Sequence, residues 1–284
     1  MKQHPIRHAF FVAARMGAMV YIGLLLYLGG CQRRLIYLPS RAAEADLRAV
    51  AAGEGFVPWR NADDTIIGWR ADTNEPPTAA DAMIVFHGNA GHALHRLYFA
   101  RGLGQPPDDP AFIVYLFEYP GYGARPGRPG KPVILEAAAE ALQLAAAAHP
   151  EGRVFLTGES LGSGVAAHLA GRYPDRTAGL FLTTPFTSLA DVAKHHYPYM
   201  PVHTLMRDRY DAAAALRDYR GPVAVMLAEH DRVVPAQFGQ ALFDGYDGPK
   251  RIWIQHGRDH NDLDYRSGAP WWREIVAFLK ADRD

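Results

Sequence analysis

The stretch that decides the fold reads Val154-Phe155-Leu156-Thr157-Gly158-Glu159-Ser160-Leu161-Gly162-Ser163-Gly164. Its apolar first part is typical of a buried strand, and the part after Ser160 has helical composition. A sharp turn from strand to helix needs small residues beside its central residue, and Gly158 and Gly162 supply them. The pattern predicts Ser160 as a nucleophile at a helix N-terminus, where free N–H groups favour a developing anion. The alternative is a glycine-rich turn in which Ser160 only caps the helix.

On both sides of this stretch, short apolar runs alternate with segments of helical composition. Continuous apolar strands between amphipathic helices predict an α/β fold, with a mostly parallel central sheet flanked by helices on both faces. Loops that carry function then lie at the carboxyl ends of the strands. The predicted strands are 82–86, 112–117, 154–157, 179–183, 223–228 and 251–254, and the clearest helices are 132–148 and 162–173.

Four further segments have no evident chemistry, and a fifth is a candidate cap. Leu35–Pro39 is predicted to be a short extended segment, Ala42–Ala52 an alanine-rich helix, and Phe56–Arg70 a pair of strands. Asn74–Thr78 is a turn-rich connector. The connection at about 185–219 is too long for a plain crossover, and we expect it to form a small cap over the site.

A nucleophilic serine needs a base, because a free hydroxyl is barely ionised at neutral pH. In a strand-turn-helix site of this kind the acid and then the histidine follow the serine along the chain. Asp231 follows the strand 223–228 and is the predicted acid, with Glu229 as its nearest rival. His260 stands in a turn before the final helix and is the predicted base, with His256 as the lesser candidate.

Two backbone N–H groups are needed to hold the carbonyl oxygen as it becomes an oxyanion. One is predicted to be the N–H of Leu161, directly after the nucleophile. The other is predicted to come from the loop 87–91, with Asn89 as the donor. His87 ends a strand and precedes the nucleophile in the chain, so we expect it to hold this loop through ring hydrogen bonds.

The composition excludes several classes of protein. Thirty Lys and Arg balance 30 Asp and Glu, so the net charge of zero gives no attraction to nucleic acid, and a neutral or apolar substrate is expected. The one cysteine, Cys31, rules out an internal disulfide and a cysteine-rich zinc site. No His-Glu-x-x-His motif occurs among the 284 residues. No metal or other cofactor is therefore predicted.

The N-terminal 31 residues are predicted to be a targeting or anchoring segment, and residues 32–284 the catalytic domain. A basic start free of acidic residues precedes the apolar run Met16–Gly30. Leu28-Gly29-Gly30-Cys31 resembles a lipoprotein signal ending at an acylated cysteine, so lipidation of Cys31 and an uncleaved signal anchor both stay open. In either case the catalytic domain is expected on the outer, extracytoplasmic side of the membrane, although Arg33, Arg34 and Arg41 reduce the charge asymmetry.

These motifs, in this order, resemble the α/β-hydrolases of the BEM46 and ABHD type, which are membrane-anchored serine hydrolases. The resemblance is carried by the segments 33–39, 87–91, 118–123, 158–164 and 184–188 and by the acid and histidine loops. It implies a Ser160, Asp231 and His260 triad without a metal. Where the family more often has Asp and Arg, this chain has Glu118 and Pro120, so substrate preference does not carry over.

The resemblance also implies that Glu118, Tyr119 and Phe186 line the substrate pocket. The predicted function is hydrolysis of carboxylic esters, of a small acyl ester or lipid, through an acyl-enzyme intermediate. A serine peptidase or amidase with the same triad is the first alternative. The second is a catalytically silent, membrane-tethered binding protein.

Overall fold

The structure, a computed structural model, describes residues 4–73, 78–104 and 111–281. Within these residues the chain forms an eight-stranded sheet and a separate two-stranded ladder. The strands are β1 (Leu38–Pro39), β2 (Phe56–Arg60), β3 (Ile66–Ala71), β4 (Ala82–Phe86), β5 (Ala90–Gly91), β6 (Ile113–Phe117), β7 (Val154–Glu159), β8 (Gly179–Thr183), β9 (Val223–Ala228) and β10 (Lys250–Gln255). The α-helices are α1 (His4–Ile36), α2 (Glu44–Gly53), α3 (Leu97–Leu103), α4 (Lys131–Ala148), α5 (Leu161–Arg172), α6 (Leu189–His196), α7 (Val202–Leu205), α8 (Ala212–Ala215), α9 (Ala236–Asp244) and α10 (Pro270–Lys280).

The large sheet has the order β10-β9-β8-β7-β4-β6-β3-β2. All neighbours from β10 to β6 pair in parallel, and β3 and β2 complete the edge in antiparallel pairing. The predicted α/β fold with a mostly parallel sheet is therefore confirmed. Each apolar run that was predicted as a strand is one. Five of these six strands are buried at every position, as expected for runs that are apolar on both faces, whereas the edge strand β10 is only partly buried.

Strand β4 shows how the sheet divides the core. Ile84 and Phe86 point to the face covered by α4 and α5, whereas Met83 and Val85 point to the face covered by α3 and α10. Successive side chains alternate between the two faces of a strand, so a strand buried on both sides has to be apolar at every position. This arrangement leaves the carboxyl edge of the parallel strands as the part of the sheet open to polar loops.

The segment before the sheet departs from the prediction in one respect. Leu35–Pro39 was expected to be extended, but α1 continues to Ile36 and only Leu38–Pro39 is a strand, paired in parallel with Ala90–Gly91. Arg33 and Arg34 lie in the last turn of α1, where positive charge stabilises the helix dipole and favours the longer helix. The helix therefore runs without a break through the predicted boundary at Cys31.

The other two predicted regions are described in part or in full. Of the connector 74–78, residues 74–77 lie outside the described residues. The predicted cap at 185–219 contains α6, α7 and α8, three helices of eight, four and four residues. The His196 ring at the end of α6 makes a hydrogen bond of 2.9 Å with the Val233 carbonyl, so this region reaches the loop that follows β9.

Helix α1 is unlike the rest of the chain. Its part from Ala9 to Ile36 is strongly apolar, with a mean hydropathy of 1.9 over 18 residues. These 18 residues are 0% buried within the protein. By length and composition it is able to cross a membrane, since about 20 apolar residues span the hydrocarbon core.

Candidate active site

Ser160 occupies the turn between β7 and α5 with φ 52° and ψ −116°. Such a positive φ is a costly conformation for a residue with a Cβ. Its backbone is fixed on both sides, because its N–H donates to the Thr183 carbonyl at 2.9 Å and its own carbonyl accepts from the Ser163 hydroxyl at 2.6 Å. The strained geometry is that of a nucleophile elbow rather than of a helix cap, and the serine side chain accepts no capping hydrogen bond.

The glycines beside Ser160 are required by the close approach of backbone atoms. A Cβ on Gly158 would lie 2.1 Å from the Gly162 carbonyl oxygen, and a Cβ on Gly162 would lie 2.1 Å from the Phe86 carbonyl oxygen. Both distances are far below van der Waals contact. The sequence pattern therefore has a steric cause: α5 packs directly on the ends of β7 and β4.

Asp231 and His260 come together across the loops that follow β9 and β10. His260 Nδ1 lies 2.7 Å from Asp231 Oδ2, and the two side chains are 7% and 1% exposed. The other carboxylate oxygen, Oδ1, accepts the N–H groups of Val233 at 2.8 Å and Val234 at 2.6 Å. With both oxygens engaged, the carboxylate is held in one orientation and keeps a proton on Nδ1 of the ring.

The two rival residues pair with each other at the surface instead. Glu229 Oε2 accepts the N–H of Gly257 at 2.8 Å, and Oε1 lies 3.4 Å from Nδ1 of His256, whose side chain is 79% exposed. These contacts, the Gly257 N–H first, lower the pKa of Glu229. The geometry therefore favours Asp231 and His260 as the acid and base over Glu229 and His256.

A further carboxylate, Asp259, ties the acid loop to the histidine loop. Its Oδ1 accepts the N–H of Arg232 at 2.9 Å and the N–H of His260 at 2.8 Å, and its Oδ2 pairs with the Arg232 guanidinium. The backbone N–H of Arg232 is the first cause that lowers the Asp259 pKa to about 2. Sequence analysis missed this residue, although its position directly before His260 was a usable signal.

The two predicted oxyanion donors belong to α5 and to the loop after β4. Leu161 is the first residue of α5, and the first N–H groups of a helix have no partner within it. Asn89 is fixed at three points: its side chain donates to the Ile36 carbonyl at 3.0 Å, and its own carbonyl accepts from the Leu38 N–H and the Tyr122 hydroxyl. The loop that carries Asn89 is thus held by the end of α1, by β1 and by Tyr122.

His87 lies buried beneath this loop. Its Nδ1 is 2.7 Å from the Gly88 carbonyl, which can only accept, so Nδ1 carries a proton. Its Nε2 lies 3.3 Å from a Glu118 carboxylate oxygen, without hydrogen-bond geometry. Both Glu118 oxygens also lie 3.2 Å from the N–H of Ala93.

The predicted pocket residues are all buried in the structure. Glu118 is 2% exposed, and Tyr119 and Phe186 are 0% exposed. The Tyr119 hydroxyl donates to the His87 carbonyl at 2.7 Å, while Phe186 packs against the first turn of α5 at Gly164. Through these contacts Tyr119 supports the loop 87–91, called the oxyanion loop below after its predicted role, and Phe186 supports α5. A role of the three residues in a substrate pocket stays a prediction.

One ion pair beside the elbow was not anticipated. The guanidinium of Arg96 binds both carboxylate oxygens of Glu159, at 2.9 and 3.3 Å, and the Tyr98 hydroxyl donates to the same carboxylate. The Arg96 and Glu159 side chains are only 14% and 12% exposed. The pair joins the segment after the oxyanion loop to the residue directly before Ser160.

Among the described residues, no group of three or more His, Cys, Asp or Glu side chains is arranged to hold a metal ion. The groups that this site offers at the carboxyl edge of the sheet are the Ser160 hydroxyl, the His260 imidazole, the Asp231 carboxylate and backbone N–H groups.

Comparison with known proteins gives a consistent result. The chain is 34% identical over 268 residues to an uncharacterized protein of Mycobacterium tuberculosis, covering 92% of each. It is 28% identical over 234 residues to the lysophosphatidylserine lipase ABHD12 of Macaca fascicularis, covering 73% of this chain and 56% of that one, so it spans about half of that relative. The fold matches an esterase from Pyrococcus furiosus with a TM-score of 0.62 at 14% identity, covering 86% of this chain and 98% of the other.

The predicted resemblance to ABHD-type hydrolases is confirmed by these relatives. The sequence model of the alpha/beta hydrolase fold family matches residues 81–272. These residues include the turn at Ser160, the loop that carries Asp231 and the loop that carries His260. The chain is therefore a member of the α/β-hydrolase fold family.

Proposed function

We propose that the protein is a serine hydrolase that cleaves carboxylic esters through an acyl-enzyme intermediate. One observation carries the proposal: a buried Asp231 carboxylate orients the His260 ring at 2.7 Å, and both residues follow, in the order the family uses, a serine strained at φ 52°. Each part alone has a structural explanation. Their combination at one edge of the sheet is hard to account for without nucleophilic catalysis.

The proposed reaction has two halves. Ser160 Oγ attacks the acyl carbonyl carbon while His260 Nε2 takes the hydroxyl proton, and the carbonyl oxygen becomes an oxyanion held by the N–H groups of Leu161 and Asn89. The oxyanion collapses, the bond to the leaving alkoxide breaks, and the imidazolium returns its proton to that oxygen. A water molecule then attacks the acyl-serine while His260 takes its proton. The bond between the acyl carbon and Ser160 Oγ breaks, the imidazolium returns the proton to Oγ, and the carboxylic acid is released.

Asp231 is proposed to act through His260. Because its carboxylate is fixed by the N–H groups of Val233 and Val234, it can hold Nδ1–H toward itself and leave the Nε2 lone pair for the serine. It also stabilises the imidazolium that forms when the proton arrives.

The substrate is proposed to be a neutral or lipid-like acyl ester. The chain has no net charge with which to attract a strongly charged substrate, and a relative over 73% of the chain is a lysophosphatidylserine lipase by name. Helix α1 supports a location at a membrane, where acyl lipids are found. The outward orientation of the domain and the lipidation of Cys31 stay predictions.

Turnover of a panel of short p-nitrophenyl esters beside aminoacyl amides tests the bond specificity. We expect ester hydrolysis that falls by a factor of roughly a thousand or more in Ser160→Ala, because loss of a triad member removes most of the rate. If the protein preferred the amides, the proposed esterase activity would be wrong, and the peptidase or amidase alternative would take its place. Ester turnover that survives in Ser160→Ala would refute the nucleophile.

A further inference from the structure

The turn that links α6 to α7, residues 197–201, exposes aromatic surface to an unusual degree. We call Tyr197–Pro201 the cap turn. Tyr199 is 90% exposed, the highest fraction among the large hydrophobic side chains of the described residues, and Tyr197 is 63% exposed. Aromatic rings with a polar hydroxyl prefer the boundary between lipid and water over either phase alone.

One hydrogen bond joins the cap turn to the apolar helix. The Tyr21 hydroxyl, inside the apolar run of α1, donates to the Tyr199 carbonyl at 2.9 Å. Tyr21 precedes Gly30, the end of that run, by nine residues, or about 13–14 Å along the helix axis. If α1 crosses a bilayer, whose hydrocarbon core is about 30 Å thick, the cap turn is therefore level with the half of that core from which α1 emerges toward the domain.

Three further hydrogen bonds join the end of α1 and the residue after it to the chain segment that follows the cap turn. Gln32 donates to the Leu205 carbonyl at 3.2 Å and accepts the N–H of Arg207 at 2.7 Å. One turn later, the Tyr37 hydroxyl donates to the buried Asp208 carboxylate at 2.9 Å. These contacts set the position of the cap relative to α1 through the part of the helix that leaves the membrane.

The charges around the cap turn suit a membrane surface. Between Lys194 and Arg209 the only acidic residue is Asp208, which is 2% exposed and lies 3.3 Å from Arg33. The side chains of Arg207 and Arg209 are exposed. The cations bond to nearby carbonyls, Lys194 to those of Pro198 and Met200 and Arg209 to that of Met206. An aromatic turn with cations around it and no exposed carboxylate between them fits a lipid surface that carries anionic headgroups.

From these contacts we infer that the cap turn is a second membrane-binding element, inserted into the same bilayer leaflet that α1 leaves. The lipid surface is its partner. The cap is joined to the acid loop, because the His196 ring bonds to the Val233 carbonyl two residues after Asp231. Insertion would therefore hold the candidate active site at the lipid surface, where a substrate can reach it without crossing water.

The test uses the full chain and does not depend on hydrolase activity. In a Cys31→Ser background, Tyr199→Cys and a control, Glu151→Cys, are labelled with an environment-sensitive fluorophore and reconstituted in phosphatidylcholine and phosphatidylglycerol vesicles. Within the described residues, Tyr199 bonds to α1 through its carbonyl and its side chain is 90% exposed, so replacing that side chain should leave the fold intact. Glu151 is an exposed residue before β7, at the opposite edge of the sheet.

We expect the label at position 199 to be quenched by lipids carrying a nitroxide high on the acyl chain and to be shielded from iodide in the water. The label at position 151 should show the reverse. Equal exposure of both labels to iodide would overturn the inference. So would mass spectrometry of the native chain that finds cleavage before Cys31, since the fragment that carries Tyr21 would then be lost.

Discussion

Ser160 illustrates how much of this fold depends on single residues. Its strained backbone is possible only because β4, β7 and α5 approach one another so closely that no side chain fits at Gly158 or Gly162. In the proposed mechanism, this turn presents the Ser160 hydroxyl next to the first N–H groups of α5. A local, sterically enforced turn would then supply both the proposed nucleophile and part of its electrostatic environment.

Gly162→Ala should destabilise the protein by more than about 3 kcal/mol, since the new methyl group would meet a backbone oxygen that cannot move aside. Denaturant unfolding of the wild type and the variant measures this. Gly53→Ala is the matched control, because the space around Gly53 in α2 is open and alanine is the better helix former, so stability should stay level or rise by up to about 1 kcal/mol. Equal effects at the two positions would contradict the packing account.

Asp259 should make the stability of the protein depend on acid pH. Its pKa is lowered in the fold from 3.8 to about 2, so its contribution is complete above the unfolded value and is lost as the pH falls toward about 2. Asp259→Asn should therefore be less stable than the wild type at neutral pH, and the difference should shrink between about pH 4 and pH 2. Urea unfolding of both proteins across this range measures it. A constant difference would show that the carboxylate charge is not what joins the two loops.

At the scale of elements, the site is assembled from loops that the sequence places far apart. β4, β7, β9 and β10 each end at the same edge, so the oxyanion loop, the elbow, the acid and the histidine meet there. The connections between these loops are hydrogen bonds and ion pairs that hold each at a fixed distance from the next. Arg96 and Glu159 form one such connection, between the segment before α3 and the end of β7.

Arg96→Met should cost about 3 kcal/mol, because it leaves the mostly buried Glu159 carboxylate without its cationic partner and with only the Tyr98 hydroxyl as a side-chain donor among the described residues. Arg48→Met breaks the exposed pair with Glu44 in α2 and should cost about 0.5 kcal/mol or less. Thermal or denaturant unfolding compares the two. If the double variant Arg96→Met, Glu159→Gln lost as much unfolding free energy as the two single variants together, the two side chains would not be coupled. The proposed connection between the two segments would then be refuted.

The strands and the elbow could be predicted from the sequence because each depends on a local pattern. Period and apolar run length determine which residues a strand buries, and Gly158 and Gly162 mark the turn directly. The pairing of Arg96 with Glu159, 63 positions apart, has no local signal. Which carboxylate meets His260 is likewise a tertiary result: Asp231 and Glu229 are both in the same loop, and only their directions separate them.

Two predictions depended on information that a sequence pattern does not hold. Residues 35–39 were predicted to be extended, but Leu35 and Ile36 belong to α1. The basic last turn of α1 and the hydrogen bond of Tyr37 to Asp208 favour the longer helix. Tyr119 and Phe186 were expected in the substrate pocket on the basis of resemblance. In the structure Tyr119 bonds to the His87 carbonyl and Phe186 packs against α5, and their role in a substrate pocket stays a prediction.

For the molecule as a whole, the apolar helix α1 and the α/β-hydrolase domain are one continuous structure. α1 runs into the domain without a linker, and its end supports the oxyanion loop through the Ile36 carbonyl and the strand Leu38–Pro39. A change at the membrane end of α1 therefore has a direct structural path to Asn89.

The central claim is that Ser160 is a nucleophile activated by His260. Labelling of the full chain with a fluorophosphonate probe tests it most directly, with Ser160→Ala, His260→Ala and His256→Ala run in parallel. The account predicts labelling in the wild type and in His256→Ala, and at least about a hundredfold slower or no labelling in the other two variants. Absence of labelling in folded wild type, or labelling that needs His256 rather than His260, would contradict it.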